Sequence, residues 1–548
     1  MPLLRRLAPL ALVTALYSLA QTSMARAILP CLGLLCGPVG VGMLLLTALV
    51  GVFQTFPCRQ PARLSPEALA LLAFAVYATV GARYAGRLRV SGDEPHYLLM
   101  AQSLWREHDL DLRDNFARGD YREYVPELPA PHYAAPRADG RPFPAHSPGL
   151  PLLLAPVYAL GGRLACVWLL GALAALVGRE AWLLAAALTR NPASAALAWA
   201  VAAGPPMFFY AFHVYSEVPS ALALAYALRV LIGGAPGLGA AAAAALATCA
   251  LPWLHVKMTL AAVALGVVAV LRLERPSRDL YLAVAAAMAV GFLGYYQWVF
   301  GRPTPLAVYG GMPRELGGSS PLHTSLGLLL DRSFGLLPIA PAFLLAVPGS
   351  LRLIRFGWTR IWPLALVGAA VVMPVLPWRM WWGGQCPPAR FLVPAVPLLA
   401  IAAAVPGRAG PRGLARWRGP LLAVGLALSG FALAAPERML LLNRRDRPSR
   451  LWEALSAPGG PPVGRYLPSL VYPDAAETRV VVLWGTALLM LLALDAAAQR
   501  HDGCDRLFRG AVLPIVLGLA IGAGVDGWAR RDMPAAPSRS SPDSIDKG

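Results

Sequence analysis

Residues 164–188 read LACVWLLGALAALVGREAWLLAAAL, an apolar run long enough, as an α-helix, to cross about 30 Å of hydrocarbon. Similar runs recur on both sides of it. They cover 7–23, 27–53 and 67–84 before it, and 193–210, 218–232, 238–254, 258–271 and 280–300 after it. Further runs follow at 334–347, 361–376, 391–405, 420–435, 480–498 and 511–527. The segment 149–161 is too short to span, and its composition predicts an interfacial or partly inserted helix. The fold class expected is all-α: a polytopic transmembrane bundle of about 13–15 helices, with surface juxtamembrane helices in the first outer loop.

Composition agrees. Hydrophobic residues fill 57% of the 548 positions and charged residues 14%, so the bilayer must act as part of the solvent and no large aqueous domain fits. The excess of 48 basic over 29 acidic residues resides mostly in short loops between apolar runs, the signature of membrane topology rather than of nucleic-acid binding. Seven cysteines are scattered with no CxxC or Cys/His cluster, and read as small apolar packing residues. The basic start followed by an apolar run reads as a retained signal anchor.

Short cytoplasmic loops keep positive charge, which orients the chain. The loops with Arg59 and Arg63, with Arg272, Arg275 and Arg278, with Arg352, Arg355 and Arg360, and with Arg408, Arg412, Arg416 and Arg418 alternate consistently onto one side, the cytoplasm. Segments 87–146, 301–333, 378–390 and 437–479 then face outward. The organisation expected is two N-terminal spans in 1–64, a core over 65–435 that includes the outer loop 87–148, an outer loop at 436–479, two spans in 480–529 and a disordered tail over 530–548.

The first outer loop holds ten of the 29 acidic residues, between Asp93 and Asp139. Its early part, 94–107, places Leu98, Leu99, Ala101 and Leu104 on one helical face, which predicts a helix lying along the membrane surface. Its later part, 125–148, is rich in proline and reads as extended or turning. In Ser91-Gly92-Asp93-Glu94-Pro95-His96-Tyr97 the paired carboxylates stand just after an outward-going helix, where an acid can take a proton from a hydroxyl or hold a divalent cation. They also suit the N-cap of the following helix.

Other outer residues have two readings each. Lys257, one of two lysines in the chain, sits with His255 at the junction of two apolar runs and either binds an anion or snorkels. Arg332 is an anion ligand or the partner of Asp331; Arg390 is a phosphate ligand or an interfacial anchor. Glu217 begins a run beside Pro219 and is either a site residue or a helix cap. In Trp381-Trp382-Gly383-Gly384 the glycines allow a tight bend and the indoles offer flat faces to a sugar or to the headgroup belt. His96, Tyr97 and His146 either line the mouth of the same site or are loop residues.

The Gly-Asp-Glu-Pro-His-Tyr stretch, the loop end His146-Ser147-Pro148-Gly149, the segments Tyr215-Ser216-Glu217-Val218-Pro219, Leu254-His255-Val256-Lys257 and Asp331-Arg332-Ser333-Phe334-Gly335, and Trp381 to Phe391 together resemble the GT-C superfamily of polyprenyl-phosphate-dependent glycosyltransferases. Protein O-mannosyltransferases and lipid A aminoarabinose transferases belong to that superfamily. The two helices before Glu67 depart from its usual order.

The resemblance implies an inverting transfer of a hexosyl or pentosyl group from a polyprenyl-phosphate donor, at the outer face of a bacterial cytoplasmic membrane, to an acceptor that the sequence does not name. It implies Asp93 as base or metal ligand with Glu94 as its partner, and Lys257, Arg332, Arg390 and His255 around the donor phosphate. His96, Tyr97, His146, Glu217, Trp381 and Trp382 fall to the substrates. Some members of the family use a divalent cation, Mg or Mn, and others use none. The competing readings are a multi-pass transporter or flippase of cell-envelope glycolipids, which should show matched halves and midplane charges, and a non-catalytic scaffold of cell-wall synthesis.

Overall fold

The structure is a computed structural model that describes residues 2–55, 65–88, 90–129, 131–134, 143–233, 235–313, 315–405, 412–471, 475–501 and 512–531. The loop arginines Arg59, Arg63 and Arg408, the acid Asp139 and the tail beyond Arg531 lie outside the described residues. Among the described residues the chain is helical, with no strand and three isolated bridges, Tyr133 to Pro144, Leu316 to Trp378 and Cys386 to Asn443. It is a polytopic all-α membrane protein.

Five stretches are long and apolar enough to cross a membrane: Pro66–Arg87, Gly149–Thr189, Arg275–Tyr309, Gly413–Ala434 and Glu477–Arg500. A bent pair, Pro30–Cys36 with Pro38–Ala48, makes a sixth if counted as one span. The runs 218–232, 238–254 and 258–271 form the helices Glu217–Ile232, Leu238–Leu254 and Thr259–Arg272, of 14 to 17 residues, whereas several others are broken, and the breaks have local causes. The run 27–53 turns by 68° at Gly37-Pro38, where proline lacks the N–H that a continuous helix needs. The run 334–347 is not a helix but turns followed by a 3-10 segment, Pro341–Leu345, and then the helix Ala346–Leu353. Gly335, Pro338 and Pro341 interrupt it. The short helix expected over 149–161 is the first arm of a bent helix, Gly149–Thr189, which kinks at Gly161 and Gly162; Gly162 takes φ 57°.

The helix Glu94–Arg106 forms where the sequence places it, but not with one buried face. All ten residues from Glu94 to Ser103 are buried. Leu98, Leu99, Met100 and Ala101 pack with Leu150, Leu154, Cys166 and Leu170 of the bent helix in one cluster. The polar segment that follows Pro66–Arg87 is thereby anchored to the helical core. A larger core joins Tyr77, Phe209, Phe212, Tyr215, Val396 and Trp381.

Candidate active site

Gly92 decides how the segment after Pro66–Arg87 meets the rest of the protein. It adopts φ +60°, and a Cβ there would stand 2.3 Å from the Gln385 carbonyl oxygen and 2.4 Å from the Tyr215 hydroxyl. Only glycine permits that approach, which brings Asp93 beside the segment that follows Trp381-Trp382.

The two adjacent carboxylates then part. Asp93 occupies the N-cap position of Glu94–Arg106, yet its side chain makes no capping hydrogen bond; it turns instead to Arg390, whose Nη2 stands 2.5 Å from Oδ2. Burial alone would raise the Asp93 carboxyl; the Arg390 guanidinium outweighs it and holds the acid below the usual carboxylate range, with His146 adding to the effect. Glu94 points the other way. Its carboxylate is fully buried and accepts from the N–H groups of Val214 (2.9 Å) and Ser91 (3.2 Å) and from the Tyr84 hydroxyl (3.4 Å). It therefore pins the loop to the core and does not line the cavity beside Asp93, contrary to its expected partnership.

Arg390 is the hub. Its Nε donates to Glu217 at 2.9 Å and its Nη1 to the Gly383 carbonyl at 2.7 Å, and its guanidinium lies 4.4 Å from the Tyr215 ring centre. Gly383 and Gly384 take φ +86° and +81°, the tight bend read from the two glycines. Lys257 rides on the 3-10 turn Val256–Met258, donates to Glu217 at 2.9 Å and sits 4.1 Å above the Phe391 ring. Glu217 thus bridges both cations through Oε1, while its Oε2 is buried with no partner. Two acids and two bases balance in one cluster at a cavity wall.

The cavity measures about 1450 Å³. Asp93, His96, Tyr97, His146, His255, Lys257 and Arg390 line it, joined by Leu260 and Val263 of the helix Thr259–Arg272. His96 and His146 are pushed down to about 3 and about 4, by burial first and then by neighbouring imidazoles. His96 is further flanked by His132, whose ring stacks on it at 4.1 Å.

Other expected residues lie elsewhere. Arg332 pairs with Glu477 at 2.9 Å and donates to the Gly464 carbonyl at 2.8 Å, away from the cavity. Trp381 is 2% exposed and packs on Gly327, where a Cβ would lie 2.5 Å from the indole. Trp382 lies 4.7 Å under the Arg445 guanidinium. Neither lines the cavity; the aromatic wall is Trp378 and Tyr309, with ring centres 6.2 Å apart. His132 and Trp378 were the residues that sequence reading missed. One signal existed: four of the chain's eight histidines, His96, His132, His146 and His255, converge on this cavity.

Asp93, His132 and His146 offer ligand atoms that all lie within 4.8 Å of one another. That donor set, two imidazoles and one carboxylate, is poorer in oxygen than the sites Mg favours.

Fold and site together define a helical membrane protein with a charged cavity where polar connecting segments meet apolar helices. No family model and no curated protein matches the chain. Among solved structures it is similar to ArnT from Cupriavidus metallidurans bound to undecaprenyl phosphate, at 16% identity and TM-score 0.43, over 84% of this chain and 78% of that one. It is also similar to the archaeal oligosaccharyltransferase AglB from Archaeoglobus fulgidus in complex with an inhibitory peptide and a dolichol-phosphate, at 12% identity and TM-score 0.38, over 67% of this chain and 56% of that one.

Proposed function

We propose that the protein is an inverting GT-C-type glycosyltransferase that moves a sugar from a polyprenyl-phosphate donor to an acceptor at the outer face of a bacterial cytoplasmic membrane. The observation that carries this reading is Arg390, held between Asp93 and Glu217 with Lys257 on the same acid, at the wall of a cavity that continues onto apolar Leu260 and Val263.

A lipid phosphate leaving group gathers negative charge as its glycosidic bond breaks, and preorganised cations lower that barrier most where water is scarce. Arg390 and Lys257 supply them. Leu260 is 39% exposed and Val263 57%, so an apolar path leads from those cations along Thr259–Arg272 and suits a prenyl chain. Asp93 is placed to take the proton of the acceptor hydroxyl as that oxygen attacks the anomeric carbon from the side opposite the phosphate. In the resting cluster Arg390 holds Asp93 as a weak base. A donor phosphate that competes for Arg390 would loosen that hold and strengthen the base at the moment both substrates are present. Trp378 and Tyr309 offer faces for a sugar ring.

The test is to incubate the purified chain with radiolabelled polyprenyl-phosphate mannose, glucose or arabinose and membrane extract. Label should move from lipid to acceptor and release polyprenyl phosphate. If the lipid crosses vesicles with its sugar still attached and no label moves, the protein is a flippase and the reading fails.

A further inference from the structure

Residues 437–450 hold five arginines, Arg438, Arg444, Arg445, Arg447 and Arg450, against two acids, Glu437 and Asp446, and all five arginines are exposed. They do not ride on a loose loop. Leu440, Leu441, Leu451 and Trp452 are buried in the main core, and Asn443 exchanges main-chain hydrogen bonds with Cys386 at 3.1 and 3.3 Å. Arg444 and Arg447 share Asp446 at 3.0 and 3.7 Å. Arg450 donates to the Arg438 carbonyl at 3.2 Å, and Arg445 lies over Trp382. One folded platform thus gathers more positive charge than its two acids cancel.

The platform starts within one turn of the end of Gly413–Ala434, a helix of 22 residues that runs about 33 Å and leaves Leu426 exposed. At the far end of that helix Asp495 accepts from Leu414 N–H at 2.7 Å and from Arg352 at 3.1 Å, in a stretch that also holds Arg412, Arg416 and Arg418. Retention of positive charge in short loops accounts for arginines at one face of a membrane, not at both. The arginines of 438–450 need another reason, and their level supplies it, since the end of a spanning helix is where headgroup phosphates lie. Arg83, near the end of the spanning helix Pro66–Arg87, marks the same level and donates to the Ala434 carbonyl at 2.9 Å. None of the five lines the cavity. They are not placed to meet the reacting groups, and a membrane phosphate is the nearer anion.

We propose that Arg438, Arg444, Arg445, Arg447 and Arg450 form a docking surface for the phosphate groups of anionic phospholipids in the leaflet they adjoin. Each cation near an anionic bilayer strengthens binding about fivefold, and a guanidinium meets phosphate oxygens with paired hydrogen bonds. Because Asn443 pairs with Cys386, the patch is tied to the segment that carries Gly383 and Arg390, and lipid held there fixes the height of that cavity wall above the hydrocarbon. The proposal stands without the glycosyl-transfer reading.

The test uses the full-length chain in a neutral detergent and follows displacement of a fluorescent phosphatidylglycerol by unlabelled phosphatidylglycerol, phosphatidylcholine or glycerol phosphate. Phosphatidylglycerol should displace the probe, phosphatidylcholine and millimolar glycerol phosphate should not, and added salt should weaken binding. Arg444→Gln, Arg447→Gln and Arg450→Gln together should weaken it on the order of 100-fold, and Arg447→Gln alone, at a 57% exposed side chain, about fivefold. Arg275→Gln with Arg360→Gln, at the end of the bundle where Arg272 meets Thr359, should leave it unchanged. Thermal unfolding without lipid that matches wild type shows the triple variant to be folded; if it is not, Arg447→Gln decides. Wild-type affinity in these variants, or equal displacement by phosphatidylcholine, overturns the proposal. Displacement by glycerol phosphate as effective as by the lipid makes this a small-anion site and overturns it too. So does a triple variant that binds phosphatidylglycerol normally but has a raised KM for an acceptor, since the patch then serves the acceptor.

Discussion

Asp93 and Asp331 both stand at the edge of a helix, just before Glu94–Arg106 and just after Pro321–Leu330, yet they are satisfied in opposite ways. Asp331 accepts from four main-chain N–H groups, those of Ser333, Phe334, Leu470 and Val471, at 2.8 to 3.3 Å. It is fully buried, and burial raises its carboxyl against those hydrogen bonds. Asp93 leans on the side chain of Arg390 at a cavity wall. Backbone donors cannot leave an acid without unfolding the segment, whereas a guanidinium can exchange one anion for another. The first arrangement fixes a corner of the fold, and the second is poised for a ligand.

Four substitutions sharpen that contrast. Arg390→Ala should abolish sugar transfer by on the order of 10³-fold or more, since it removes the charge facing the leaving phosphate. It also strips Asp93 of its ion-pair partner and leaves Glu217 with Lys257 alone, so folding should weaken by about 3–5 kcal/mol, read by thermal unfolding. Asp331→Asn should cost about 2–4 kcal/mol of stability by weakening its set of main-chain hydrogen bonds, while transfer per folded molecule stays near wild type; a selective loss of transfer would break the comparison. Lys257→Met keeps the apolar stem over Phe391 and should raise the KM for the polyprenyl donor about tenfold, because one of two cations is lost. Arg332→Gln should cost about 1–2 kcal/mol, because it removes a partly exposed pair with Glu477 and a bond to the Gly464 carbonyl, and should leave donor KM unchanged.

The fold class was legible because apolar runs of spanning length have no other home. Where the runs break was less legible. The run 334–347 satisfies a hydropathy reading, but Asp331 captures the N–H groups of Ser333 and Phe334, and two prolines follow. The helix 94–106 showed a single apolar face, yet His96, Gln102 and Ser103 are buried as well, with partners supplied by residues distant in sequence such as Tyr124, which donates to Gln102 at 2.8 Å. Such tertiary satisfaction leaves no periodic trace.

Within the site, Asp93, Lys257, Arg390 and Glu217 were readable as costly charges beside apolar runs. Glu94 was misplaced because two adjacent carboxylates at a helix start point to opposite sides, and the sequence does not say which one faces the core. The tryptophan pair misled for a similar reason: Trp381 fills the space above Gly327, while Trp378 reaches the cavity. His132 lies in a proline-rich stretch with no periodicity, and only the main-chain pairing of 132–134 with 143–145 brings it to His146.

In the proposed reaction the Asp93 carboxylate acts on the acceptor in a cavity where Arg390 and Lys257 meet the donor phosphate. Asp93→Asn keeps the size of the side chain and removes its charge, so it isolates that role. Purified Asp93→Asn protein, folded and still retaining polyprenyl phosphate, should transfer sugar at least about 100-fold more slowly than wild type. Transfer at the unmutated rate would contradict it.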